Sequence, residues 1–258
     1  MEEHQLETML SIERICYSTK FIKSHPDRRI IALGLHKLSD DEKMSDDVFA
    51  LTMNIFDRFI LKYSAIMNDH YCQLIALSCY NLAKKLRSNI SINNENEQTS
   101  LILLNQNYTD EEIFDAEQLI VETLDWDLST VVPHDYIHLI FQYIPLTEND
   151  KAKIRLHVNT LLSITICELN TLTIFPSILC CASIRVAING LSIFDIYYND
   201  ELIMKTIHCT NQELIKIQRE IEQIFQSYVP KKVPATKRPC LAQINTSNKT
   251  HSSSPRVK

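Results

Sequence analysis

Tyr108-Thr-Asp-Glu-Glu-Ile-Phe-Asp-Ala-Glu-Gln-Leu-Ile-Val-Glu-Thr-Leu-Asp-Trp-Asp-Leu-Ser-Thr-Val-Val-Pro-His-Asp-Tyr-Ile-His-Leu-Ile140 decides the fold. The segment opens as a helix, because the Thr109 hydroxyl caps the free amides of the first turn while Glu112, three residues on, caps in return. At 100° per residue Ile113, Ile120, Val121 and Leu124 share one face, the pattern of an amphipathic helix. Glu117 falls in the middle of that face. A carboxylate among apolar neighbours is costly to desolvate unless a cation or donor meets it. Glu117 therefore calls for a partner, which is either inside the fold, with Arg58 as one candidate, or on another protein. The helix stops before Trp126, the only tryptophan, which is followed by Leu128. Pro133 then opens a second helix at a position where its missing amide costs nothing.

Working outward, helix follows helix. The spacing predicts helices over residues 6–17 and 28–38, then one capped by Ser45 whose Val48, Leu51, Ile55, Phe56 and Phe59 keep helical period. Residues 71–86 are apolar on nearly every side, as a helix buried in the middle of a bundle must be. Residues 88–107 are polar and Asn-rich with a short apolar core at 101–104, which reads as a loop holding one short helix. The second half repeats the plan over residues 133–143, 148–168 and 176–189, the last again apolar all round. A short helix at 201–208 follows. Thr210-Asn-Gln-Glu213, a second capping box about one hundred residues after the first, starts a long amphipathic helix carrying Leu214, Ile217, Ile221, Ile224, Phe225 and Tyr228. The chain thus reads as all-α: an N-terminal helical extension (1–26), two tandem five-helix domains (27–131 and 132–229), and a tail (230–258). The tail is rich in Lys, Pro, Ser, Thr and Asn with little to bury, and is expected to be disordered.

Composition excludes several function classes. Gly34 and Gly190 are the only glycines in 258 residues, which argues against phosphate-cradling loops, dinucleotide folds and hairpin-rich β architecture. A net charge of −6 gives no general attraction to nucleic acid or an anionic membrane. No apolar run reaches the length of a membrane span, and Met1-Glu-Glu-His4 does not open a signal peptide, so an intracellular, soluble protein is expected. The cysteines fall singly on apolar stretches or as the adjacent pair Cys180-Cys181, without metal-ligand spacing, and read as reduced packing residues; no metal and no cofactor are expected. His134 has no Ser, Cys or acid spaced to make a nucleophile site. The acids Asp40-Asp41-Glu42 and Asp46-Asp47 flank a helix start, where acids are expected anyway.

A tandem of five-helix units with Asp57-Arg58-Phe59-Ile60, Gln73-Leu74, Ala83-Lys84-Lys85 and Glu117 in this order resembles the cyclin family. Asp125-Trp126-Asp127-Leu128, Pro133-His134-Asp135-Tyr136, Phe175-Pro176-Ser177-Ile178 and Thr210-Asn211-Gln212-Glu213 are most similar to the D-type cyclins. The resemblance implies two cyclin boxes and a non-catalytic regulatory subunit that docks on a cyclin-dependent kinase and swings its C-helix inward, promoting G1 progression and the G1/S transition. It implies that Lys85 and Glu117 grip backbone groups beside that helix and that Leu82, Trp126 and Leu128 form an apolar pocket for it. It implies an Arg28–Asp57 pair tying two helices together, a kinase of the D-cyclin-partner type, retinoblastoma-like substrates reached through the complex, and residence in nucleus and cytoplasm. The alternative is a cyclin-fold scaffold or transcription-associated cyclin that does not drive the cell cycle. A third class, the cyclin-like repeats of general transcription factor B, requires a basic DNA-binding face that this acidic body lacks.

The chain departs from the family pattern at its substrate-docking patch. Asp27 and Gly34 stand where the family carries a methionine and a tryptophan, leaving Arg28, Ile31 and Gln73 as a degenerate patch, so recruitment of Arg-x-Leu peptides is expected to be weak. The Leu-x-Cys-x-Glu element that opens most D-type cyclins is absent. In the tail, Lys237 and Arg238 resemble a nuclear-import signal, and Ser254-Pro255 resembles a proline-directed phosphorylation site.

Overall fold

The stretches read as periodic form helices in a computed structural model that describes residues 2–17, 24–63, 68–87, 108–191 and 200–229. Among the described residues there is no strand. The helices are α1 Glu2–Cys16, α2 Arg28–Asp41, α3 Asp46–Lys62, α4 Asp69–Arg87, α5 Asp110–Thr123, α6 Pro133–Ile140, α7 Glu148–Glu168, α8 Pro176–Gly190, α9 Asp200–Thr206 and α10 Asn211–Tyr228. The short helix expected at 101–104 lies outside the described residues, as do Lys237, Arg238 and Ser254. The described residues up to Tyr228 belong to one compact unit.

Both capping boxes close. Thr109 accepts the Glu112 amide at 3.2 Å while its own N–H donates to the Glu112 carboxylate at 2.8 Å, and Thr210 and Glu213 do the same at 3.3 and 2.8 Å. These bonds favour the ionised form, so the Glu112 and Glu213 carboxyls are held below the usual range. Ser45 departs from expectation: it sits in the extended N-cap conformation, yet its side chain makes no capping bond. Asp46 and Asp47, in the first turn of α3, complement the helix dipole there instead. Thr147 caps α7 by accepting from Asp150 N–H at 3.2 Å, a cap not anticipated.

Two central helices organise the unit. α4, buried from Leu74 to Tyr80 without a break, packs on α2, α3 and α5; α8, buried from Pro176 to Ile184, packs on α6, α7 and α10. Each nucleates its own apolar cluster. α1 belongs to the second cluster through Leu6, Met9 and Leu10. Its buried Glu13 accepts the Ser177 N–H at 2.9 Å and the Ser177 hydroxyl at 2.6 Å, at the first turn of α8. Burial pushes the Glu13 carboxyl above its ordinary value, with the Ser177 bonds pulling it partly back.

The two clusters are locked by polar contacts. Arg28 donates to both oxygens of Asp57 at 2.7 and 2.8 Å and to the carbonyls of Ile166 and Cys167, at the end of α7, at 2.9 and 3.2 Å. Arg87 forks onto Asp135 at 2.6 and 2.9 Å. The Tyr17 hydroxyl donates to the Val131 carbonyl at 2.9 Å and accepts from the Asn54 amide at 2.7 Å. Arg28 and Asp57 thus hold α2 to α3 and, beyond what the sequence implied, both to α7. Cys72, Cys79, Cys167, Cys180 and Cys181 are buried and unbridged; burial pushes the Cys72 and Cys167 thiols up to about 12, far from the reactive thiolate. Among the described residues no three metal-ligating side chains converge, and no helix is long and apolar enough to cross a membrane.

Candidate functional site

Lys85 lies in the last turn of α4, where the helix dipole favours a cation, and Glu117 sits about two turns into α5 on its packed face, beside Ala116 and Ile120. The two helices pack together, so the ammonium Nζ donates to Glu117 Oε2 at 2.5 Å. The partner that the misplaced carboxylate needed is therefore inside the fold. It is not Arg58, which pairs with Asp127 instead. The Lys85–Glu117 contact is incomplete: Glu117 Oε1 is buried with no hydrogen-bond partner among the described residues, while the Lys85 side chain is 47 % exposed with donors to spare. A buried acceptor left unmet costs about 1–3 kcal/mol, which a donor from another molecule would recover.

α5 ends in a turn that presents Trp126. The Trp126 N–H returns to the Val121 carbonyl at 2.9 Å and the Asp125 N–H to the Glu122 carbonyl at 3.1 Å, the two bonds of a Schellman closure. Such a closure wants a left-handed residue, usually glycine. Here Asp125 and Trp126 take it in succession, at φ 54° and 63°, a conformation uncommon without glycine. Two α3 side chains one turn apart hold it: Lys62 donates to Asp125 at 2.8 Å and Arg58 to Asp127 at 2.6 Å. Between the clamped aspartates the indole is 81 % exposed.

Leu82 and Leu128 differ from the expectation of a shared pocket with Trp126. Both are buried in the first apolar cluster, so in the free chain only the indole is open. The substrate-docking residues are also split. Arg28 is buried with its guanidinium directed inward, whereas Ile31 and Gln73 line a pocket of about 240 Å³ together with His25, Asp27, Ile30, Asp69 and Cys72. The apolar surface offered there comes from Ile30, 69 % exposed, and the flanking aspartates make the pocket's edge acidic.

Sequence reasoning missed Arg58 and Lys62 as the clamp of the Trp126 turn, and Phe114, 64 % exposed one turn before Glu117. Arg58 and Lys62 left a signal, since residues four apart share a helix face. Their aspartates lie more than sixty residues on, beyond any local rule. A cleft of about 620 Å³ opens where the halves meet and is lined by Asp46, Asp47, Arg87, His134, Asp135 and Asn159 among others. Arg87 is already committed to the aspartates there, and burial pushes the His134 imidazole below its ordinary value, toward the neutral form.

The family model of the cyclin N-terminal domain matches residues 4–129 and that of the cyclin C-terminal domain residues 131–253. The chain is 30 % identical over 240 residues to the G1/S-specific cyclin-D1 of Xenopus laevis, covering 86 % of this chain and 79 % of that one. It is 26 % identical to the Homo sapiens G1/S-specific cyclin-D1, covering 88 % and 80 %. Among solved structures it is similar to a viral cyclin from herpesvirus saimiri, with a TM-score of 0.69 at 16 % identity over 88 % of this chain and 97 % of that chain. It is also similar to a chain in the yeast RNA Pol II CTD kinase CTDK-1 complex, with a TM-score of 0.55 at 14 % identity, covering 88 % and 77 %.

Proposed function

The chain belongs to the cyclin family, and we propose that it is a non-catalytic subunit that binds and activates a cyclin-dependent serine/threonine kinase. The observation that carries this reading is the incomplete Lys85–Glu117 pair beside the clamped, exposed Trp126. A helix of a partner that lays its backbone here can accept from Lys85, donate to Glu117 Oε1 once the lysine shifts, and cover the indole. Each of these steps completes a bond or removes apolar surface from water, so the face is more stable occupied than bare. A large aromatic anchor beside a charged pair is also the usual composition of an interface hot spot.

The finer reading is that the kinase is of the D-cyclin-partner type and that the complex promotes G1 progression and the G1/S transition, acting on retinoblastoma-like substrates. The D-type relatives favour this over a transcription-associated role. Weak recruitment of Arg-x-Leu peptides goes with it, because Gly34 supplies no side chain on the docking face and Asp27 replaces an apolar contact. Partition between nucleus and cytoplasm, through Lys237 and Arg238, completes the proposal. A pull-down of endogenous kinases on the tagged chain, with phosphorylation assayed on the eluate, tests it. Recovery of an active cell-cycle kinase is expected; recovery of only a transcriptional kinase, or of none, contradicts it.

A further inference from the structure

The cleft of about 620 Å³ between the halves holds polar groups that neither the fold nor the kinase-docking pair uses. Thr130, just before α6, is 4 % exposed and lines the cleft, yet its Oγ1 has no hydrogen-bond partner among the described residues. Asn159 on α7 reaches across to α3, donating its amide to Asp46 Oδ2 at 2.5 Å, and its own buried Oδ1 has no partner among the described residues. In the first turn of α6 both ring nitrogens of His134 are buried and unmet in the same way. Buried polar atoms are ordinarily bonded. Unmet ones that line a single cleft, from α6, α7 and the segment before α6, mark a place for the donors and acceptors of another molecule.

The charges around these atoms decide what the occupant carries. Asp46, Asp47 and Asp135 share the lining with Arg87 and Arg155. Arg87 is spent on Asp135, with a longer contact of 3.5 Å to Asp47, and Arg155 lies over the Phe141 ring at 5.8 Å. Asp46 meets only the neutral Asn159 amide. The dipole of α3 accounts for acids in its first turn, but it supplies no donor to Asn159 Oδ1 beside them. An ammonium suits this pair, because it carries three N–H donors, no acceptor and the charge that the carboxylate lacks. The other unmet groups ask for something different. A neutral imidazole and a hydroxyl each donate and accept, which is what the N–H and C=O of a peptide require; burial keeps His134 toward that neutral form. Met9, Ile12 and Ile137 line the same cleft and can cover the methylene stem of a lysine.

We propose that this cleft binds a lysine-bearing peptide segment of a protein partner, with the ammonium on Asp46 and Asn159 Oδ1 and the flanking backbone on His134 and Thr130. None of these four residues belongs to the face made by Lys85, Glu117 and Trp126. The site is therefore separate from kinase docking and does not rest on that reading.

The test records two-dimensional amide NMR spectra of the full chain, titrated at low salt with a capped Gly-Ser-Lys-Ser-Gly peptide to millimolar concentration. Saturable shifts are expected around Thr130 and Asn159. The same peptide with norleucine in place of lysine, and butylamine, which has the ammonium without a backbone, are each expected to bind about tenfold more weakly. Asp46→Asn is expected to weaken the lysine peptide by about tenfold as well. Thr130→Val is expected to weaken it while the free chain melts at the same temperature or higher, since the change removes a buried hydroxyl that bonds nothing. No saturable shift, equal binding of the norleucine peptide, or equal binding by Asp46→Asn overturns the proposal. Equal binding of butylamine overturns the peptide as occupant, and a lower melting temperature in Thr130→Val assigns its hydroxyl to the fold and strikes it from the site. Addition of a kinase subunit of the D-cyclin-partner type is expected to leave the shifts in place; their loss would make the cleft part of the kinase interface and overturn a separate site.

Discussion

Arg28–Asp57 and Lys85–Glu117 join a cation to a buried carboxylate in two regions of the first helical cluster, and they are built in opposite ways. In the first, both carboxylate oxygens are met, the remaining guanidinium nitrogen reaches two carbonyls of α7, and both side chains are almost wholly buried. In the second, one bond is made, one carboxylate oxygen has no partner among the described residues, and half of the lysine faces water. The lesson is that a completed polar network is part of the fold, whereas an incomplete one beside an exposed aromatic is, on the proposed reading, a docking surface. A sequence presents both as the same pair of residue types.

Each prediction breaks or sharpens that contrast. The largest effect is expected at Arg28→Ala or Asp57→Ala, which strands a buried charge and should cost roughly 3–5 kcal/mol in chemical denaturation. If that loss is no greater than for Lys85→Ala, the distinction between the two pairs collapses. Lys85→Ala alone leaves Glu117 buried without its cation and should cost about 2 kcal/mol, while adding Glu117→Ala should recover most of it, since removing both partners is nearly neutral. Additive losses would show instead that each side chain stabilises the free fold by itself.

A smaller effect is expected where the contrast reaches Trp126. Arg58→Met with Lys62→Met removes the clamp on a strained turn and should lower stability by about 1 kcal/mol. The single indole gives a direct readout: its emission should be that of a water-exposed ring in the unaltered chain and shift to shorter wavelength when a kinase covers it. An emission maximum already blue in the free chain contradicts the exposed placement.

The smallest effect concerns Glu13, whose folded carboxyl lies above its ordinary value because of burial. A raised folded value means that the folded chain holds this proton more tightly than the unfolded one. The stabilisation is then fully present below about 4.5, the ordinary value, and is lost as pH rises through the folded value. Glu13→Gln should therefore flatten the pH dependence of stability on that rising side, measured by denaturation across mildly acidic to neutral pH. An identical slope in both chains removes Glu13 from the account.

Much of this fold was legible because helices announce themselves by period and cap. Thr109–Glu112 and Thr210–Glu213 close as spelled, and the mostly apolar, unbroken buried runs of α4 and α8 lie at the centres of their clusters. Ser45 misled because a capping residue type does not guarantee a capping bond, and Asp46 and Asp47 in the next turn complement the helix dipole without it. The site was legible in part. Glu117 stood out through its cost of burial, but whether its partner was Lys85 or Arg58 depended on how α3, α4 and α5 pack, which no local pattern contains. Leu82 and Leu128 are apolar residues on packed faces, and sequence does not separate an interface leucine from a core one. The docking of α1 on α8 through Glu13 and Ser177 was invisible for the same reason, since its partners lie 164 residues apart.

Calorimetric titration of a purified D-cyclin-partner kinase with the unaltered chain and with Lys85→Ala, Glu117→Ala tests the central claim most directly, with melting of both chains recorded alongside. The account predicts that the unaltered chain binds and raises kinase activity, and that the double variant does neither while melting within a few degrees of it. Binding and activation by the double variant, equal to those of the unaltered chain, would contradict it.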